Sequence, residues 1–169
     1  MNSTIFELLQ KFQTALVGVI GFTGVIVTLV VNSWIARRQV QDQRWHDRQA
    51  LERALLAELE AHRETITNNI ADIEKRAGEE YEGMYHPRLL LPIFDASIPR
   101  LGLIDGTGLP AVLHGFQVIK GFNRRLSFIA EPHGDTDFLV PENRVKTLAR
   151  MLTTALPAVE KAIGALSKP

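Results

Sequence analysis

The chain contains no cysteine. That absence excludes a disulfide scaffold, thiol catalysis and thiolate-bound zinc. There is no net charge either, since 19 basic residues balance 19 acidic ones. A protein that holds nucleic acid by bulk electrostatics carries a basic excess, so no nucleic-acid partner is expected. The HExxH, GxSxG and kinase-type motifs are missing. Gly102, Gly106 and Gly108 crowd one turn, but no Lys-Ser/Thr follows and no strand precedes them, so the phosphate-cradling pattern fails. Alternating strand patterns with hairpin turns are not evident. These absences point to a non-enzymatic chain with no cofactor and no metal. With 46% hydrophobic residues it is nevertheless not a disordered one.

Two local absences are more informative. No charged residue occurs from Phe12 to Ala36, and Ala15–Val31 is nearly pure Val, Ile, Leu, Phe, Gly and Ala. As a helix that stretch spans roughly 37 Å at about 1.5 Å per residue, and a bilayer core needs about 20 residues. A single transmembrane helix is expected. A cleaved signal peptide fits badly: the run exceeds the usual h-region of about 7–15 residues, and no small-x-small site precedes Arg37. Trp34 stands where an interfacial aromatic anchor belongs. Lys11 lies on one flank; Arg37, Arg38, Arg44 and Arg48 lie on the other. The positive-inside rule then places Met1 outside and residues 37–169 in the cytoplasm, at the inner membrane of a bacterium.

Thr14, Gly18, Gly21, Val25, Thr28 and Asn32 follow steps of 4, 3, 4, 3 and 4 along this helix. That is the seam of a left-handed helix pair. Small residues let two backbones approach, and Thr or Asn can hydrogen-bond across the contact. These six residues are the expected oligomerisation site.

The second local absence is of Pro and Gly between Val25 and Ala77. The stretch after the membrane is rich in helix-forming Gln, Arg, Ala, Leu and Glu. The helix should therefore continue to about Glu80, as a rod of roughly 100 Å from Phe12. Leu51, Leu55, Leu59, His62, Ile66, Ile70, Ile73 and Ala77 form its apolar stripe. This stripe packs either on another subunit or on later helices of the same chain, and intrachain packing is the commoner outcome. Glu58 precedes His62 by one turn and can reach it. A pair is not a ligand set, so we expect a satisfied, part-buried histidine.

Gly83, Pro87 and Pro92 mark the segment that turns the chain back. Residues 92–98 read as a short helix with Pro at its start, which Pro99 ends or kinks. A longer helix follows from about Leu109 to Ile129, with Thr107 or Asp105 available as its cap. Val112, Phe116, Ile119 and Leu126 form its inner stripe, and Gly115 and Gly121 are candidate points of close helix contact. A polar loop over 131–140 leads to a last helix from about Pro141 to Leu166. Its core stripe is Val145, Leu148, Leu152, Ala155, Val159, Ile163 and Leu166, interrupted by Pro157. His133, Asp135 and Asp137 carry metal-ligand chemistry, but they lack the spacing and count of a calcium loop and read as turn residues. Lys120, Arg124 and Arg125 make a basic spot that either is solvated or touches an anionic lipid or acidic partner.

The expected fold is all-α: a transmembrane helix (1–36), a helical stalk (37–80) and a cytoplasmic bundle (81–169) of a short helix and a two-helix hairpin packed on the stalk. Leu91-Pro-Ile-Phe-Asp95, Leu101-Gly-Leu-Ile104 and the helix bearing Phe116 resemble a group of uncharacterised small bacterial inner-membrane proteins with this layout. Ile104 and Phe116 stand where that group's pattern has Leu and Tyr. The resemblance implies a bacterial setting and no activity. The function expected is a self-associating membrane scaffold or adaptor, with the lipid bilayer, further copies of itself and a cytoplasmic protein as partners. The alternative is a pore-forming or membrane-disrupting effector of a toxin or phage-defence system, with Thr14, Thr28 and Asn32 facing water.

Overall fold

The computed structural model describes residues 2–76, 83–104 and 106–167; within the first helix, side chains are described at 12, 13, 17 and from 21 onward. The chain divides into two compact units, residues 1–46 and 47–169. Helix α1, Asn2–Lys75, supplies the first unit and the opening element of the second.

In the first unit every described side chain is exposed. Phe22, Val25, Ile26, Val27 and Leu29–Val31 stand between 45% and 69% exposed, with Trp34 and Ile35 beyond them. Successive helical residues turn by about 100°, so runs such as 25–27 and 29–31 place apolar groups on all sides. Thr28 Oγ1 donates to the Gly24 carbonyl at 2.8 Å, which satisfies the hydroxyl within the helix. Among the described residues, no helix is long and apolar enough to cross a membrane.

The second unit begins with α1 from Asp47. Its stripe packs within the chain: Leu51, Leu55, Leu59 and Ile66 are buried in the main core, with Ile70 and Ile73 at its margin; Ala77 lies outside the described residues. The helix ends at Lys75, closed by Arg76 N–H to the Asp72 carbonyl at 3.1 Å. Strand β1 (Gly83–Pro87) follows, then helix α2 (Pro92–Ser97) and a 3-10 helix over Ile98–Leu103 that takes up Pro99. Helix α3 is Leu109–Ile129 and helix α4 is Glu142–Leu166. Every residue of the two expected stripes is buried. Pro157 stays inside α4 at an exposed position, where the missing N–H faces solvent rather than the core.

The connection between α3 and α4 corrects the all-α expectation. It is a hairpin of β2 (Glu131–His133) and β3 (Asp137–Pro141), and β1 pairs antiparallel with the other edge of β3, in the order β1-β3-β2. Met84 faces Val140 and His86 faces Phe138, so four alternate residues form the buried side of the sheet. The period of two is present in Phe138 and Val140 but lasts one short strand, and the partner strand is distant in sequence. Gly83 is required at the edge: a Cβ there would lie 2.8 Å from the Val140 carbonyl oxygen. Gly134 turns the hairpin with φ +68°, a conformation that favours glycine.

Two smaller expectations are also corrected. The N-cap of α3 is Gly108, with no side-chain cap; Pro110 in the first turn lacks one of the donors a cap would satisfy. Thr107 is therefore not the cap, and Asp105 lies outside the described residues. Gly115 is a point of helix contact, since a Cβ there would meet Ala162 Cβ at 2.6 Å and the Ala158 carbonyl at 3.3 Å. Gly121 is not, for nothing lies within 4 Å of its Cβ position.

Candidate functional site

Thr14 and Gly18 of the expected seam lie outside the described side chains. Gly21, Val25, Thr28 and Asn32 are all exposed on α1. A Cβ added at Gly21 or Gly24 would meet nothing within 4 Å. The described positions of this face, Gly21, Val25, Thr28 and Asn32, are therefore uncovered. Beyond it, the Arg38 guanidinium sits 5.4 Å from the centroid of the Trp34 ring.

In the second unit the polar side chains converge on the segment from Pro87 to Phe94. Glu58, buried on α1, accepts from Ile93 N–H at 2.8 Å and from Phe94 N–H at 2.9 Å, one bond to each carboxylate oxygen. The first turn of α2 has no side-chain cap of its own at Leu91, so a residue from a distant helix serves as the cap. One turn on, the buried His62 lies beside Leu90. Asn123 on α3 grips the same segment from the other side, accepting from Leu89 N–H at 3.1 Å and donating to the Leu89 carbonyl at 2.7 Å. Phe94 then stacks on Phe116 with centroids 4.1 Å apart.

This arrangement replaces the expected Glu58–His62 pair. Both carboxylate oxygens are engaged by α2 rather than by His62. Burial lowers the His62 pKa below its ordinary 6.5, against the opposing pull of the Leu90 backbone. His62 Nε2 has no partner. His86 is similar and was not singled out by the sequence. It is fully buried, its Nδ1 lies 2.6 Å from the Pro87 carbonyl, its Nε2 is unpartnered, and its ring packs 5.2 Å from Phe122. A carbonyl only accepts, so Nδ1 carries the proton. Burial lowers this pKa too, with the Pro87 carbonyl and the charge of Asp137 working in the opposite direction. Its signal was its alternation with Met84 on a short strand. Asn123 stands four residues after Ile119 on the apolar stripe of α3, a polar group at a core position and so a group needing buried partners.

Glu58 and Asn123 therefore act as a clamp on backbone. No group of three His, Cys, Asp or Glu that could hold a metal ion occurs among the described residues. His133 instead packs against Tyr85 with centroids 4.8 Å apart, across the sheet from β1. The basic spot on α3 is divided. Lys120 donates to Asp95 at 2.7 Å and lies over the Phe94 ring, whereas Arg124 and Arg125 remain exposed. Compared with known protein families, characterised proteins and solved structures, the chain matches none.

Proposed function

We propose that this chain is a non-enzymatic, membrane-anchored scaffold or adaptor of a bacterial inner membrane. It associates with itself through the Thr14, Gly18, Gly21, Val25, Thr28 and Asn32 seam and presents residues 47–169 to a cytoplasmic protein. One observation carries the reading: apolar side chains on every side of α1 between Gly21 and Ile35 are exposed. A helix apolar all round is stable inside a protein or a membrane, not in water. The described part of the run, residues 21–36, is sixteen residues. That is roughly 24 Å and short of a hydrocarbon core of about 30 Å. The proposal therefore also draws on residues 14–16 and 18–20, outside the described side chains, which are apolar in sequence apart from Thr14.

Orientation follows from Arg37, Arg38 and Arg44 beyond Trp34, with the C-terminal unit inside. Membrane fractionation of the full chain tests the anchor. The protein should pellet with membranes, resist alkaline extraction and be released by detergent. Recovery of the full chain in the supernatant without detergent overturns the reading. The seam is tested by the mass of the assembly in mild detergent. Gly18→Leu combined with Gly21→Leu should reduce the copy number, and an unchanged mass removes the seam from the proposal. Dye release from liposomes holding the full chain would move the assignment to a pore-forming effector.

A further inference from the structure

Helices α3 and α4 touch at Gly115 and then leave a groove of about 430 Å³ between them. Ala158 belongs to both, so the groove ends where the helices meet. Gly121 lines it. Glycine is the costliest residue in a helix interior after proline. At Gly115 the contact with Ala162 explains that cost; at Gly121 no atom of the chain does, because its Cβ position opens onto the groove. A side chain there would take up space that the glycine leaves free.

The walls are more apolar than polar, with Gln117 and Thr154 among the lining residues. Val118 and Phe122 come from α3, and Met151 and Ala155 from α4. Phe122 is fixed from behind by the His86 ring. Arg125, one turn beyond Gly121, also lines the groove. No carboxylate faces it there, and among the described residues Arg125 makes no salt bridge. Arg125 is the only Lys, Arg, Asp or Glu side chain on the lining. A volume of this size, an apolar lining and a few polar groups are the ordinary features of a small-molecule site.

We propose that the α3–α4 groove binds a small amphipathic organic anion. Its carboxylate meets the Arg125 guanidinium, and its apolar body lies over Gly121 against Phe122, Val118 and Met151. The site does not depend on the membrane reading, since all of it belongs to the second unit.

The chain has three methionines, Met1, Met84 and Met151. Methyl labelling of the full chain in mild detergent therefore yields three NMR signals. Met151 lines the groove, and buried Met84 on β1 serves as the internal reference. Phenylbutyrate is the probe, and neutral phenylbutyramide is its control for charge. The expected result is a saturable shift of the Met151 methyl with Met84 unmoved, and weaker binding of the amide by roughly tenfold. Arg125→Gln, at an exposed position, should weaken phenylbutyrate by a similar factor. Gly121→Leu should abolish the shift while leaving the Met84 signal in place, because the added side chain enters open space. Absence of a saturable shift overturns the proposal. So does equal binding of the amide, equal movement of all three methyls, or unchanged binding by Arg125→Gln. Should Gly121→Leu disturb Met84, the Arg125 comparison alone decides.

Discussion

Removing the Glu58 carboxylate should release α2 from α1 and lower the stability of the whole second unit. Glu58→Ala leaves two backbone donors without an acceptor. Phe94 is buried, so its N–H loses a partner that water cannot replace, at about 1–3 kcal/mol. Ile93 is partly exposed and its N–H can turn to solvent, so its loss is nearer the net value of a single hydrogen bond, about 0.5–1.5 kcal/mol. The sum is about 1.5–4.5 kcal/mol. For a chain of this length that lowers Tm by roughly 3–18 °C. Glu58→Gln keeps one acceptor oxygen but turns an NH2 toward the other amide, and should cost about half as much. The assay is urea unfolding of the full chain in mild detergent, paired with hydrogen exchange at the Ile93 and Phe94 amides. Both amides should lose protection in proportion to the global loss. An Ala variant within about 0.5 kcal/mol of the parent refutes the reasoning. So does a Gln variant as damaged as Ala, or exchange that accelerates at 93 and 94 while the global midpoint stays fixed.

Other expectations follow from the same contacts. The pKa values of His62 and His86 are lowered on folding, so the unfolded chain takes up protons first. Stability should be flat with respect to these groups above about pH 6.5 and fall as pH drops below it. Urea midpoints at about pH 7.5 and about pH 5.5 measure the fall, and His62→Leu and His86→Leu should each make it smaller; an undiminished fall in both variants counts against the assignment. Gly115→Ala should destabilise by about 1–3 kcal/mol through its clash with Ala162, whereas Gly121→Ala should stabilise by up to about 1 kcal/mol, and thermal melts that rank the two the other way contradict the packing described here. Phe116→Ala, which removes a fully buried ring stacked on Phe94, should cost about 3–5 kcal/mol by the same melts.

The long helices were legible because their signal is local and repeated. Val145 to Leu166 returns an apolar residue every three or four positions, and each one is buried. The same holds for Val112 to Leu126 on α3, whose ends at Leu109 and Ile129 the pattern also marks. The sheet was not legible, and the reason is its size. Phe138 and Val140 alternate over one strand only, and the pairing of β3 with β1 joins residues fifty or more positions apart, such as His86 and Phe138. Nothing local in the chain declares such a pairing. The clamp was half legible. His62 stood out as a polar group on an apolar stripe, with Glu58 one turn upstream. The partners of Glu58, however, are backbone groups of Ile93 and Phe94, and a backbone group carries no mark in the sequence. Spacing on one helix suggested that the two side chains satisfy each other. The fold instead turns both Glu58 oxygens to the returning segment, and Asn123 reaches that segment from α3. A polar residue on a core stripe is thus a dependable sign of a tertiary contact, and a poor guide to which contact it makes.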